Sequence, residues 1–337
     1  MDLGQWGVFY FTDVLTPAQL TELAQRTEQL GYTALWYPEV LGYESFALGS
    51  FLLTQTTRLV IASGIANLYA RDATAAKQGQ HTLAKLSGGR FLLGLGVSHV
   101  PLVEKARGHQ YRPPVATMRA YLEAMDKAVA IAPSLEEPPP TVLAALGPQM
   151  TALAAARTAG AVPYNVTPEH TARARAILGP DRWLCVEQKV LLVTDATKAR
   201  EVSRQAMAFY LPLPNYRQNW QRLGFREEDL ANGGSHRFLD AMVAWGDESA
   251  IRQRLQAHVD AGASHVCIQP LHPDGQPLPD FKALPLSPPS GTGVCVPAAC
   301  CTGLRTRVSW LDKINCSNPY RRCADTPGSR CGDSDGG

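Results

Sequence analysis

The residues that could do chemistry are few, and they stand where apolar runs end. Glu39 follows ALWYP (34–38), Asn67, Tyr69 and Arg71 follow LVIASGI (59–65), and Ser98 and His99 follow FLLGLG (91–96). A carboxylate or imidazole at such a place is a candidate proton donor or acceptor. The glycines between them raise a second question, because glycine at the end of a buried strand lets a backbone approach another group closely. That group could be the pyrophosphate of a dinucleotide on a Rossmann sheet, or a ligand lying over the mouth of a barrel. The dinucleotide reading fails on spacing. His99 stands where the third glycine of G-x-G-x-x-G belongs, and no acidic residue ends the following strand to hold a ribose. A metal-dependent barrel hydrolase fails as well, since the first apolar run carries no His-x-His and no metal-ligand cluster is evident.

The elements that must position these residues repeat one unit. Trp6–Phe11 is a continuous apolar run, as expected of a strand buried on both faces. Pro17 then opens a helix whose Leu20, Leu23, Ala24, Thr27 and Leu30 recur at helical spacing, and Gly31 ends it. Strands follow at 34–37, 59–65, 90–95, 141–146, 161–166, 183–193 and 265–271, and helices separate them. The stretch 195–245 reads as two or three helices and loops inserted after the seventh strand. Eight strands, each followed by a helix, predict a (β/α)8 TIM barrel, with the glycines of the fourth strand on its active, C-terminal face.

Composition sets outer bounds. The 337 residues are 45% hydrophobic and 18% charged, in keeping with a globular protein that has a substantial core. The net charge of +2 makes no electrostatic case for nucleic acid or a membrane surface. No run reaches the roughly 18 apolar residues of a membrane helix, and MDLGQWGVFYF lacks the pattern of a signal peptide. Only Cys185 and Cys267 lie within residues 1–285, which points to a reducing, cytoplasmic setting.

Three stretches carry a family resemblance: LSGGRFLLGLGVSH (86–99), SGIANLYARD (63–72) and ESAIRQRLQAHVDAGASHVCIQP (248–270). They resemble the luciferase-like monooxygenase superfamily, and within it the actinobacterial branch of coenzyme F420-dependent oxidoreductases, from about Trp6 to Leu284. The resemblance implies a flavin or deazaflavin across the barrel mouth, with a small-molecule substrate beside it. Matched residue by residue, it places a non-prolyl cis peptide at Gly64–Ile65 behind the cofactor ring. It also runs Gly96, Val97 and Ser98 past the cofactor side chain and sets Asn67 and Tyr69 at the mouth. Gly147 begins a helix and offers free N–H groups to a phosphate. Thr167, before Pro168, is either a second phosphate contact or a simple helix N-cap. Related deazaflavin enzymes often carry an acidic residue followed by histidine after strand two; here Glu39 is followed by Val40. Glu39 is then the expected proton donor, and His99 the nearest replacement for the missing imidazole. Arg71 could meet a phosphate or acidic substrate, or pair with its neighbour Asp72. A homodimer is the usual assembly among such proteins.

The first functional expectation is therefore hydride transfer between reduced coenzyme F420 and a small organic substrate. An FMN-dependent monooxygenase using oxygen is the alternative, and a flavin- or deazaflavin-binding protein without catalysis is a third. Tyr111, Phe209, Tyr210, Tyr216 and Trp220 are expected to be core rather than a recognition box, and His81, His109, His258 and His272 are read as bystanders, His258 on a polar helix face. Residues 1–285 form the expected barrel domain. The tail, 286–337, holds six of the eight cysteines, with no C-x-x-C pair, and no apolar periodicity. It reads as disordered and translated out of the family's frame.

Overall fold

A computed structural model of the chain describes residues 1–129 and 136–286. The expectation for the tail falls outside them apart from Leu286, and so does part of the Pro-rich connection before the fifth barrel strand. Strands β1 (Trp6–Phe9), β2 (Ala34–Tyr37), β3 (Val60–Ser63), β5 (Phe91–Gly96), β6 (Thr141–Leu143), β7 (Gly160–Ala161), β8 (Trp183–Leu191) and β10 (His265–Pro270) form a closed parallel barrel. Closure runs through β10, which pairs β1 at Trp6↔Val266 and β8 at His265↔Cys185. The short β4 (Ala66–Asn67) continues the line of β3 and pairs β5 at Ala66↔Leu95. The chain is a (β/α)8 barrel.

The outer helices start and stop where local chemistry tells them to. In α1 (Pro17–Gln29), Thr16 and Gln19 form a reciprocal capping box and Pro17 occupies the first turn. After α2 (Ser45–Gln55), helix α3 (Ala73–Leu86) is capped by Asp72, which accepts the N–H of Ala75 at 2.9 Å. Helices α4 (Pro114–Lys127), α5 (Pro148–Arg157) and α6 (Pro168–Leu178) each begin on proline. Asp72 is thus occupied as a cap, which leaves Arg71 to other partners. The final crossover helix, α11 (Glu248–Asp260), is capped by Asp247.

Two expectations are corrected here. The sixth strand was expected over 161–166, yet the ladder holds only Gly160 and Ala161. Pro163 brings no N–H to a ladder, and Asn165 takes a left-handed φ of +56°, so the chain turns away over the barrel. The insertion after β8 is also richer than expected. It contains α7 (Ala196–Met207), α8 (Pro214–Arg222), α9 (Glu227–Leu230) and α10 (His236–Met242), then β9 (Val243–Trp245), which pairs β8 at Lys189↔Val243. A three-residue strand is too short for its periodicity to be read. The insertion buries an apolar cluster of its own that includes Met207, Trp220, Phe238 and Val243.

Gly94 shows how tightly the barrel is built. A Cβ there would overlap the Ser63 carbonyl oxygen, while the Ser63 hydroxyl accepts from the Gly94 N–H at 3.0 Å and donates to the Gly94 carbonyl at 2.9 Å. Gly94→Ala is expected to cost about 3 kcal/mol and lower the thermal midpoint by roughly 5–10 °C. An unchanged midpoint in a calorimetric scan would show that β3 and β5 can move apart.

Candidate active site

At the C-terminal ends of the strands lies a cavity of about 550 Å³. Its walls are mainly apolar, from Phe9, Ile65, Val97, Leu146, Val162 and others, with a few polar groups between them. A concave, mostly apolar pocket at this face of a (β/α)8 barrel is where a ligand is expected.

One wall is the ridge between β3 and β4. The Gly64–Ile65 peptide is cis, as the resemblance implied. Both residues line the cavity. Gly64 has no room for a side chain, since a Cβ would lie 2.8 Å from the Phe9 ring. Gly96 is fully inside the barrel and does not line the cavity. A Cβ on it would overlap the Ile65 side chain, so its role is to let Ile65 seat against β5. Gly96 therefore shapes the ridge from behind.

Glu39 reaches the same ridge from the β2 end. Its backbone N–H donates to the Ile65 carbonyl at 3.1 Å. Its carboxylate is buried and fully engaged. Oε1 accepts from Arg71 and from the Ser45 N–H at 3.3 Å, and Oε2 accepts from Arg71 at 2.9 Å and from the Asn67 N–H at 2.8 Å. A carboxylate has about four lone-pair positions, and these four donors take them. Arg71 does not pair with Asp72. It bridges Glu39 and Glu44, and its guanidinium lies 4.7 Å from the Phe46 ring centroid. Asn67 is buried; its side chain accepts the Tyr69 N–H at 2.9 Å and does not line the cavity. Tyr69 packs on the loop, stacked on Tyr111 at 6.0 Å, and its hydroxyl accepts the Arg112 N–H.

Beside the ridge, Val97, Ser98 and His99 leave β5. Ser98 takes a left-handed φ of +58°, which turns the chain so that all three line the cavity. His99 Nδ1 is buried without a hydrogen-bond partner. Burial holds the imidazole pKa below its ordinary 6.5, opposed by a hydrogen bond that the ring donates to Asn215. His99 is accordingly neutral near pH 7, with a ring nitrogen in want of a partner.

Gly147 lies where α5 meets the cavity and caps that helix without a side-chain acceptor. Its Cβ direction is open except for the Arg222 guanidinium at 3.5 Å. Thr167 is elsewhere. It lines a second cavity, of about 560 Å³, with Asp240, Trp245 and Arg254, and makes no side-chain N-cap bond. The two residues expected to hold phosphate therefore do not share a cavity.

The aromatic expectation is corrected. Tyr111, Phe209, Tyr210 and Tyr216 line the cavity, and only Trp220 is purely core, fully buried with its Nε1–H donating to the Asn165 carbonyl. His258 is likewise not on a polar face. It is fully buried between Thr171 and Gln188, and burial pushes its pKa down to about 3. One group escaped the sequence reading altogether: Glu187 and Lys189 of β8, each 2% exposed and 3.2 Å apart. The signal was present in VEQKV, two opposite charges at alternate positions of an otherwise apolar strand.

Residues 5–265 match the family described as luciferase-like monooxygenase. The chain belongs to that family. A Mycobacterium tuberculosis protein described as "Putative coenzyme F420-dependent oxidoreductase" is 31% identical over 123 residues, 36% of this chain and 34% of that protein. The match thus spans about a third of the relative's length. Among solved structures, the coenzyme F420-dependent tetrahydromethanopterin reductase of Methanopyrus kandleri superposes with a TM-score of 0.69 at 17% identity. That superposition covers 85% of this chain and 97% of the reductase. The oxygenating constituent of 3,6-diketocamphane monooxygenase from Pseudomonas putida, in complex with FMN, gives 0.61 at 15% identity, covering 84% and 96% of the two chains. At such identities the likeness is one of fold. Membership of the luciferase-like family supports an oxidoreductase or monooxygenase with a flavin or deazaflavin. Among the described residues no helix is long and apolar enough to cross a membrane.

Proposed function

We propose that this luciferase-like protein is a cytoplasmic oxidoreductase that transfers a hydride between coenzyme F420 and a small organic substrate in the cavity at the barrel mouth. The observation that carries the reading is that cavity. It is apolar enough for a flat ring system, walled on one side by the Gly64–Ile65 ridge and on another by Val97–His99. The residues present fit such a cofactor. His99 brings a buried imidazole to the cavity wall, and the Gly147 helix start, with Arg222 beside it, suits an anionic tail. A deazaflavin supplies two-electron hydride chemistry and the protein supplies everything else. Gly64, Ile65, Val97 and Ser98 would hold the ring and Gly147 the phosphate. The sequence match to the Mycobacterium relative favours the deazaflavin over FMN.

Proton handling goes to His99 in this reading. Neutral and at the cavity wall, its imidazole can take or return a proton. Glu39 has no free lone pair for that task and acts as a positioning residue. With Arg71 it fixes the ends of β2 and β4 and so the ridge between them. Apolar walls keep water from the reacting groups.

Fluorescence titration of the purified protein tests the cofactor choice. Coenzyme F420 is expected to bind at least tenfold more tightly than FMN, a gap of about 1.4 kcal/mol. Equal or reversed affinities would favour the FMN-dependent monooxygenase. Tight binding of F420 with no turnover across a broad substrate panel would favour a carrier protein.

A further inference from the structure

The buried ion pair of β8 lies beneath one wall of the cavity. Glu187 and Lys189 are two positions apart on a strand and share a face. Lys189 Nζ donates to Glu187 Oε1 at 3.2 Å and to Asn165 Oδ1, and Glu187 Oε2 accepts the Asn165 N–H at 3.2 Å. The ammonium also sits 4.0 Å from the centroid of the Tyr164 ring and 5.3 Å from that of Tyr210. A desolvated cation against an aromatic face is held firmly, so the cluster fixes the Tyr164 ring at the cavity surface.

The Tyr164 hydroxyl donates to Gln269 Oε1 at 2.8 Å and lies 3.1 Å from the Tyr210 hydroxyl. A phenol has one proton to give. Tyr164 spends its proton on Gln269, so in the tyrosine pair Tyr210 is the donor. Burial pushes the Tyr210 pKa up to about 12 and that of Tyr164 well above the ordinary value, so neither hydroxyl ionises near neutral pH. Both residues line the cavity. With its own proton committed, the Tyr210 oxygen has only lone pairs left to offer. Around the pair the wall is apolar, with Phe9 packed on Tyr164 at 5.0 Å and Phe209 on Tyr210 at 5.2 Å.

We infer that the Tyr164–Tyr210 pair is the subsite for the substrate's oxygen: on binding it accepts a hydrogen bond from a substrate hydroxyl, and that one proton turns from Tyr210 to His99 before the hydride leaves. The substrate class is then a small, uncharged, mainly apolar alcohol. The inference rests on the reading of this cavity as the active site, but not on which cofactor the protein uses.

Matched probes test it on the full-length protein with no cofactor added. Cyclohexanol and cyclohexanone have nearly the same volume and differ in whether the oxygen can donate. Saturation-transfer NMR titrations are expected to show cyclohexanol binding about five- to tenfold more tightly, the scale of one net hydrogen bond. Tyr210→Phe keeps the ring and is expected to reduce that preference below about twofold. Tyr164→Phe removes the acceptor for the Tyr210 proton, which frees Tyr210 to donate, so the preference is expected to shift toward the ketone. A structural role alone would not abolish the preference in one variant and reverse it in the other. Equal or tighter binding of cyclohexanone to the wild type, an unaltered preference in both variants, or no binding of either probe would overturn the proposal. Because F420 and FMN are absent from these titrations, their outcome is independent of the cofactor assignment.

Discussion

His99→Gln is expected to lower turnover about 10²- to 10⁴-fold with little change in cofactor affinity, the range for a lost proton-transfer group. The effect follows from two features of the imidazole: it lines the cavity, and its Nδ1 has no partner. The pH profile gives an independent check. Burial lowers the His99 pKa from 6.5, so the neutral base persists below the pH at which a free histidine becomes charged. If His99 takes the proton, the rate is flat through neutral pH and falls only as pH drops through that lowered pKa. His99→Gln removes this acid limb. A variant with wild-type turnover, or an acid limb that survives the substitution, would assign the proton step to another group.

Arg71→Met is expected to cost about 3–5 kcal/mol, the range for breaking one side of a buried ion pair. Side-chain exposure is 8% for Arg71 and 3% for Glu39, so the Glu39 carboxylate would keep its two backbone N–H donors and lose its counter-charge. The thermal midpoint is expected to fall by roughly 10 °C or more. Glu39→Gln retains one acceptor oxygen and is expected to lose less stability, with turnover per folded molecule close to that of the wild type. A 10²-fold loss of turnover in Glu39→Gln at unchanged stability would restore Glu39 as the proton donor that the sequence first pointed to.

The barrel was legible because each of its layers leaves a separate mark. Trp6–Phe11 read as a strand buried on both faces, LVIASGI and FLLGLG read as strands, and Pro17 and Gly31 marked the start and stop of the first helix. What failed depended on residues distant in sequence. Glu39 was legible as a carboxylate at the end of the second strand, but its pairing with Arg71, 32 positions away, was not. Thr167 and Gly147 looked alike as helix starts, but β7 ends early at Pro163 and Asn165, and the two fall on different cavities. Tyr216 read as core because nothing local shows which face of α8 turns toward the barrel mouth, and Tyr210 lies in the turn between α7 and α8. VEQKV was the missed signal. A buried strand tolerates two charges only when they satisfy each other, and that alone marked β8 as carrying more than packing.

A crystal structure of the protein with oxidised coenzyme F420 tests the central claim most directly. The account predicts the deazaflavin ring in the cavity against Ile65, with His99 and the Tyr164–Tyr210 pair facing the remaining space and the phosphate near Gly147. A ring bound outside that cavity, or inside it but away from Ile65 with Gly147 untouched, would contradict the account.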